Sequence, residues 1–185
     1  ILETSSGSIG IFVENSGGYV TNGFGIYNTI SSIKDREVHV IVQGSAQSAA
    51  LLTLLAVPLE NRWCHEDSTF MAHRVRTDPI EGTHAYLGKQ VELMSRYTHR
   101  GCAIIANKTH MSFEEAKAMF FDDDNENTFY AKDAKRLGFV NRIITNYNVF
   151  RWSSKEKPSK QKSGGLIESV ASDSAYINEH KRRAR

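Results

Sequence analysis

Apolar positions along the chain fall into blocks whose spacing predicts an ordered series of elements. "SIGIFVENSGG" (8–18) reads as a strand closed by a glycine turn. In "VTNGFGIYNTISSI" (20–33), Val20, Phe24, Tyr27, Ile30 and Ile33 recur at helical spacing, so an amphipathic helix is expected despite two glycines. "VHVIVQG" is a β-branched run and predicts a buried strand. "AALLTLLA" is apolar on all sides and predicts a buried helix. "STFMAH" is a further strand, ending at His73. A long helix is expected over Tyr86–Ala106, with Leu87, Val91, Met94 and Ile105 on one side. "SFEEAKAMF" opens with Ser112 and Glu115, the signature of a capping box. "AKDAKRLG" is a short helix stopped by Gly138, and "FVNRIIT" a closing strand. Strands alternating with helices predict an α/β fold with a parallel-type sheet.

The 185 residues suffice for one domain with a core plus a tail. With 40% hydrophobic and 24% charged residues, the composition is that of an ordinary globular chain. The longest apolar stretch, Ala49 to Leu59, is broken by Thr53 and too short to span a bilayer. A net charge of +2 gives no reason to expect a nucleic-acid binder. The chain opens on Ile1 without a basic segment followed by an apolar one, so no signal peptide is expected. Two cysteines, Cys64 and Cys102, make neither a disulfide framework nor a zinc site and fit a reducing compartment. From Arg151 to Arg185, nine Lys/Arg stand against four Asp/Glu, and apolar residues are sparse. Residues 148–185 are therefore expected to be a basic, disordered tail after a domain over 1–147.

The candidate chemistry starts at "VQGSAQSAALLTLLAVP" (42–58). Ser48 stands where a strand gives way to a buried helix, and small residues Gly44, Ala46 and Ala49 leave room for a substrate backbone. The Ala49 amide, at the helix start, is a candidate oxyanion donor. A plain serine N-cap is the bland alternative for the same residue. His73, at the end of its strand, could take the Ser48 proton as general base. His39 and His65 have no comparable pairing. "FFDDDNENTF" supplies Asp122, Asp123, Asp124 and Glu126, of which at most one is expected to sit against an imidazole, because adjacent carboxylates repel. In "NSGGYVTNG", Gly17 and Gly18 end a strand before a helix, and the Gly18 amide is a second oxyanion candidate or part of a simple turn.

In order along the chain, "NSGGYVTNGFGIYNTI", "GSAQSAA", "STFMAH" and "YAKDAKRLGFVNRI" resemble the motifs of the Clp protease proteolytic subunit (ClpP) family over about residues 7–145. The resemblance puts the nucleophile on Ser48 and the histidine on His73, 25 residues later as in the family. It implies a ClpP/crotonase-type α/β fold, a repeated β-β-α spiral in which the Tyr86–Ala106 helix projects as a handle. It further implies a serine endopeptidase without cofactor or metal that forms stacked homo-oligomeric rings. A separate AAA+ unfoldase would feed it unfolded polypeptides, since no GxxxxGK[ST] motif is present. The expected place is the cytoplasm or an organellar matrix or stroma, away from membranes and nucleic acid.

Three departures from the family pattern stand out. The proline before the paired glycines is absent, and the acid is displaced. Counting from the Ser112 helix start reaches Asp123, whereas counting back from Ala131 reaches Glu126. Asp123 is preferred, with Asp124 and Glu126 as alternatives. Only 16 residues precede Gly17, so the chain is read as N-terminally incomplete. A divergent or phage-encoded member would show such features. Two rival readings are a crotonase-type acyl-CoA enzyme, which needs no Ser–His pair, and a non-catalytic Clp ring subunit.

Overall fold

The structure is a computed structural model and describes residues 7–122 and 126–145. The predicted tail, like Asp123 and Asp124, lies outside the described residues.

Strand β1 (Ile9–Asn15) leads through the paired glycines into helix α1 (Val20–Ser32). Strand β2 (Val38–Gln47) is the centre of the fold. It runs into a tight 3₁₀ turn (Ser48–Ala50) and the short helix α2 (Leu51–Leu55). Two four-residue strands follow, β3 (Arg62–His65) and β4 (Thr69–Ala72). Helix α3 (His84–Lys108) and helix α4 (Phe113–Phe120) precede β5 (Asn127–Tyr130), α5 (Ala131–Leu137) and β6 (Arg142–Ile144).

Among the described residues the strands form one sheet in the order β5-β4-β2-β3-β6, with β1 on β2. Every pair is parallel except β4 with β5. The parallel expectation therefore holds apart from that pair. Both β3 and β5 lack any readable period, because four residues with one Arg and one His, or one Asn and one Thr, carry no alternation of their own. They are strands because neighbours complete their hydrogen bonds. Val40, Ile41 and Val42 of β2 are fully buried, as are Leu54 and Leu55 of α2 and Phe70 of β4. Burial of each such side chain is worth about 1.5–3 kcal/mol.

Local rules account for the helix ends. In α4 both halves of the capping box are present: Glu115 N–H donates to Ser112 Oγ at 3.2 Å, and Ser112 N–H donates to the Glu115 carboxylate at 2.8 Å. Gly138, at φ 84°, closes α5 in the left-handed conformation that favours glycine. Helix α3 begins two residues earlier than expected because Thr83 Oγ1 caps it, accepting from Tyr86 N–H at 3.3 Å. Its apolar side is not one continuous buried face. Cys102, Ile104 and Ile105 are buried, whereas Val91 is 58% exposed and Tyr86 and Leu93 are also open. The sheet and its helices cover only the last turns of α3.

Arg62 sits inside this frame at 1% exposure. Its Nε donates to the Val57 carbonyl (2.9 Å), and its Nη1 donates to the Lys108 carbonyl (2.6 Å) and, at 3.4 Å, to the Gly138 carbonyl. One guanidinium thus joins the loop before β3, the end of α3 and the end of α5. Burial, the largest influence, pulls its pKa down to about 10.

Candidate active site

Parallel strands bring their carboxyl ends to the same sheet edge. The register of β2 with β4 pairs Gln47 with Met71, so the chain continuing from each strand emerges side by side. Ser48 is the next residue after β2, and His73 lies just past the end of β4. His73 Nε2 and Ser48 Oγ are 2.8 Å apart.

Ser48 does not act as an N-cap. It is the first residue of the 3₁₀ turn, and its hydroxyl is held by the imidazole rather than by a backbone amide. Its φ is +52°, and among the described residues it is the one non-glycine with positive φ. Left-handed backbone costs an L-residue about 1–2 kcal/mol. Gly17 (φ 106°) lies directly beneath: a β-carbon there would meet Ser48 Cβ at 2.8 Å and the Gln47 carbonyl at 2.9 Å. Asn15 fixes that turn, its Oδ1 accepting from Gly17 N–H at 2.7 Å. Gly23 of α1 serves the same close approach, since a β-carbon on it would sit 3.0 Å from the Ala49 carbonyl.

His73 is kept below the usual imidazole pKa of 6.5, first by burial and next by the Arg76 charge. The Arg74 backbone and the Glu126 charge push the other way. Among the described residues, Nδ1 is buried without a hydrogen-bond partner. A neutral imidazole with Nε2 free to accept is the form a general base requires.

Around the pair lies a cleft of about 860 Å³ bordered by Gly18, Ala49, Leu52, Met71, Met94 and Tyr97, among others. Both oxyanion candidates, Gly18 and Ala49, thus line the same cleft as Ser48 and His73. Gly44 and Ala46 do not provide room for substrate. Ala46 is fully buried within β2, and a β-carbon at Gly44 would strike the Glu14 carboxylate.

The acids described take other partners. Asp122 Oδ1 lies 3.3 Å from Lys117 Nζ. Glu126, on the cleft rim, accepts from Arg76 Nη1 at 2.8 Å. Sequence reasoning missed Arg76 and the Gly17–Ser48 contact. Nothing in local sequence marks them, because each depends on segments brought together by the sheet.

Cys64 and Cys102 are free and buried, and burial pushes their thiols to about 12 and about 11. Neither is a competing nucleophile. Among the described residues no group of three or more His, Cys, Asp or Glu could hold a metal, and no helix is long and apolar enough to cross a membrane.

A mostly parallel sheet with a strained serine bonded to an imidazole at its carboxyl edge defines a class, the α/β proteins with a hydrolase-type Ser–His pair. Comparison with known proteins narrows the class. The Clp protease family model matches residues 1–147. The "ATP-dependent Clp protease proteolytic subunit 3" of Rhizobium etli is 30% identical over 150 residues, covering 79% of this chain and 73% of that protein. The subunit of the same name from Synechococcus sp. (strain CC9605) is 29% identical over 147 residues, 79% and 71% of the two chains. A solved structure of a ClpP1 point mutant from Listeria monocytogenes superposes with a TM-score of 0.68 at 27% identity, covering 78% of this chain and 77% of that one. The chain belongs to the Clp protease family, and its fold is the α/β fold of ClpP.

Proposed function

We propose that the chain is a serine endopeptidase acting as the proteolytic subunit of an ATP-dependent Clp protease. The observation that carries the reading is the 2.8 Å contact between His73 Nε2 and Ser48 Oγ. Nε2 takes the hydroxyl proton as Oγ attacks the peptide carbonyl carbon. The carbonyl oxygen becomes an oxyanion and accepts from the Gly18 and Ala49 amides, a donor of this kind being worth about 3 kcal/mol. Collapse breaks the C–N bond, and the imidazolium gives its proton to the leaving amine. Water, activated by the same histidine, then releases the acyl group. Asp123 orients Nδ1–H, with Asp124 and Glu126 as the alternatives.

An open cleft of about 860 Å³ suits an extended, unfolded polypeptide. By family resemblance a AAA+ unfoldase delivers it, and the subunits stack as homo-oligomeric rings. The exposed Tyr86, Val91 and Leu93 of α3 support an assembly that covers them. Light scattering with size exclusion is expected to give an oligomer, and a monomer at micromolar concentration would defeat the ring.

A fluorophosphonate probe is expected to label the wild-type protein and to leave Ser48→Ala unlabelled. Equal labelling of the two would remove Ser48 from the role. The second reading is a non-catalytic ring subunit: among the described residues no carboxylate hydrogen-bonds His73 Nδ1. A Ser48 inert to every such probe in an assembled ring would establish it. A crotonase-type acyl-CoA enzyme has no use for the Ser–His contact, and failure to bind a CoA thioester is expected.

A further inference from the structure

We propose that Arg76 is a positioning residue for His73, keeping the imidazole unprotonated by holding the Glu126 carboxylate away from it. The consequence for catalysis rests on the peptidase reading; the geometry and the measurement below do not.

The antiparallel register of β4 with β5 pairs Ala72 with Asn127. Continued by one residue on each chain, it sets Glu126 across from His73. A carboxylate in that place is the natural partner of an imidazolium, and there it would favour the protonated ring. Instead Glu126 Oε1 accepts from Arg76 Nη1 at 2.8 Å, on the segment that leaves β4 just after His73. Arg76, Glu126, His73 and Ser48 border one cleft.

Among the described residues, the other groups bordering the cleft beside the imidazole do not replace this pair. The turn after β2 offers the Ser48 hydroxyl, which is neutral. Helix α3 contributes the Tyr97 phenol, and Tyr19, just before α1, contributes another. On His73's own segment, Arg74 adds a second cation to the cleft wall, and Asp78 also borders the cleft. Asp122, at the end of α4, belongs to the adjoining groove and is paired with Lys117. Among the described residues, Arg76 is therefore the cation that both bonds the carboxylate across from His73 and acts directly on the ring, where it lowers the pKa while Glu126 raises it.

The test is a titration of the full chain carrying ¹³C-labelled histidine, followed by NMR, with the His73 signal assigned by its absence in His73→Asn. Arg76→Gln is expected to move the His73 midpoint upward. Arg76→Lys, which keeps the charge, is expected to stay near wild type, and Glu126→Gln is expected to move the midpoint downward. The double variant Arg76→Gln/Glu126→Gln is expected to fall back from the Arg76→Gln value toward wild type. An Arg76→Gln midpoint equal to wild type overturns the proposal. So does a double variant that shifts as far as Arg76→Gln alone, since Glu126 would then have no part. Should Arg76→Gln fail to fold, the Arg76→Lys and Glu126→Gln midpoints decide: a fixed midpoint in Glu126→Gln overturns it. The acid limb of fluorophosphonate labelling is expected to follow the NMR midpoint. A wild-type protein that titrates as described but never labels would sink the peptidase reading and leave the role of Arg76 standing.

Discussion

Gly17 packs against Ser48 so closely that no β-carbon fits between them: one built on Gly17 would lie 2.8 Å from Ser48 Cβ. Gly17→Ala is therefore expected to push the serine off the imidazole and to force φ of 106° on an alanine. Such backbone strain costs about 1–3 kcal/mol. Fluorophosphonate labelling should fall sharply while circular dichroism stays near wild type. Unchanged labelling would show that the turn yields without moving Ser48.

The acid is resolved by single replacements. Under the proposed triad, Asp123→Asn should lower peptide hydrolysis on the order of 10⁴-fold, the cost of a wrong histidine tautomer in a comparable triad. Small effects are expected for Asp122→Asn, Asp124→Asn and Glu126→Gln, with folding intact in all four. A large fall at Asp124 or Glu126 instead would move the assignment and keep the mechanism. Four mild effects would leave Ser48 and His73 as a dyad.

Acid dependence follows from the direction of the His73 shift. As the proposed general base, His73 works while neutral, and its pKa is held below 6.5. Hydrolysis should thus persist below pH 6.5 and decline as pH falls through the lower folded value. Below 6.5 the unfolded chain binds the proton first, so this group lowers stability as pH drops across that window. A rate profile whose acid limb lies above pH 6.5 would contradict the depressed pKa.

Arg62→Met removes donors from three carbonyls in three segments. Each carbonyl left buried and unsatisfied costs about 1–3 kcal/mol. A drop in unfolding free energy of about 3 kcal/mol or more is expected by urea denaturation. Faster hydrogen exchange at the end of α3 should accompany it. A loss under 1 kcal/mol would mean that water takes over these carbonyls.

Long or locally capped elements were legible in the sequence. The β-branched core of β2, the helical spacing of α1 and the Ser112–Glu115 box each carry their own signal. So do Ser48 and His73, because a small-residue turn before an apolar helix and a histidine closing an apolar strand are local patterns. What escaped depends on contact between distant segments. The apolar spacing of α3 gave Val91 the same weight as Ile105, yet Ile105 is buried and Val91 is largely exposed. Gly44 and Ala46 looked like room for a ligand, but Glu14 and the core occupy that space. Arg76 reads as an ordinary loop cation until the β4–β5 register brings Glu126 to it.

The left-handed backbone of Ser48 has an evolutionary consequence. Glycine would sit there unstrained, and its greater freedom in the unfolded chain offsets only part of that relief, so Ser48→Gly should abolish chemistry while leaving the fold up to about 1 kcal/mol more stable. Protein folding therefore exerts no pull toward serine at this position, and thermal robustness pulls away from it. Under the proposed peptidase role, a lineage released from the need to cut peptides would drift toward an inert subunit, whereas a persisting serine would record continuing selection for turnover.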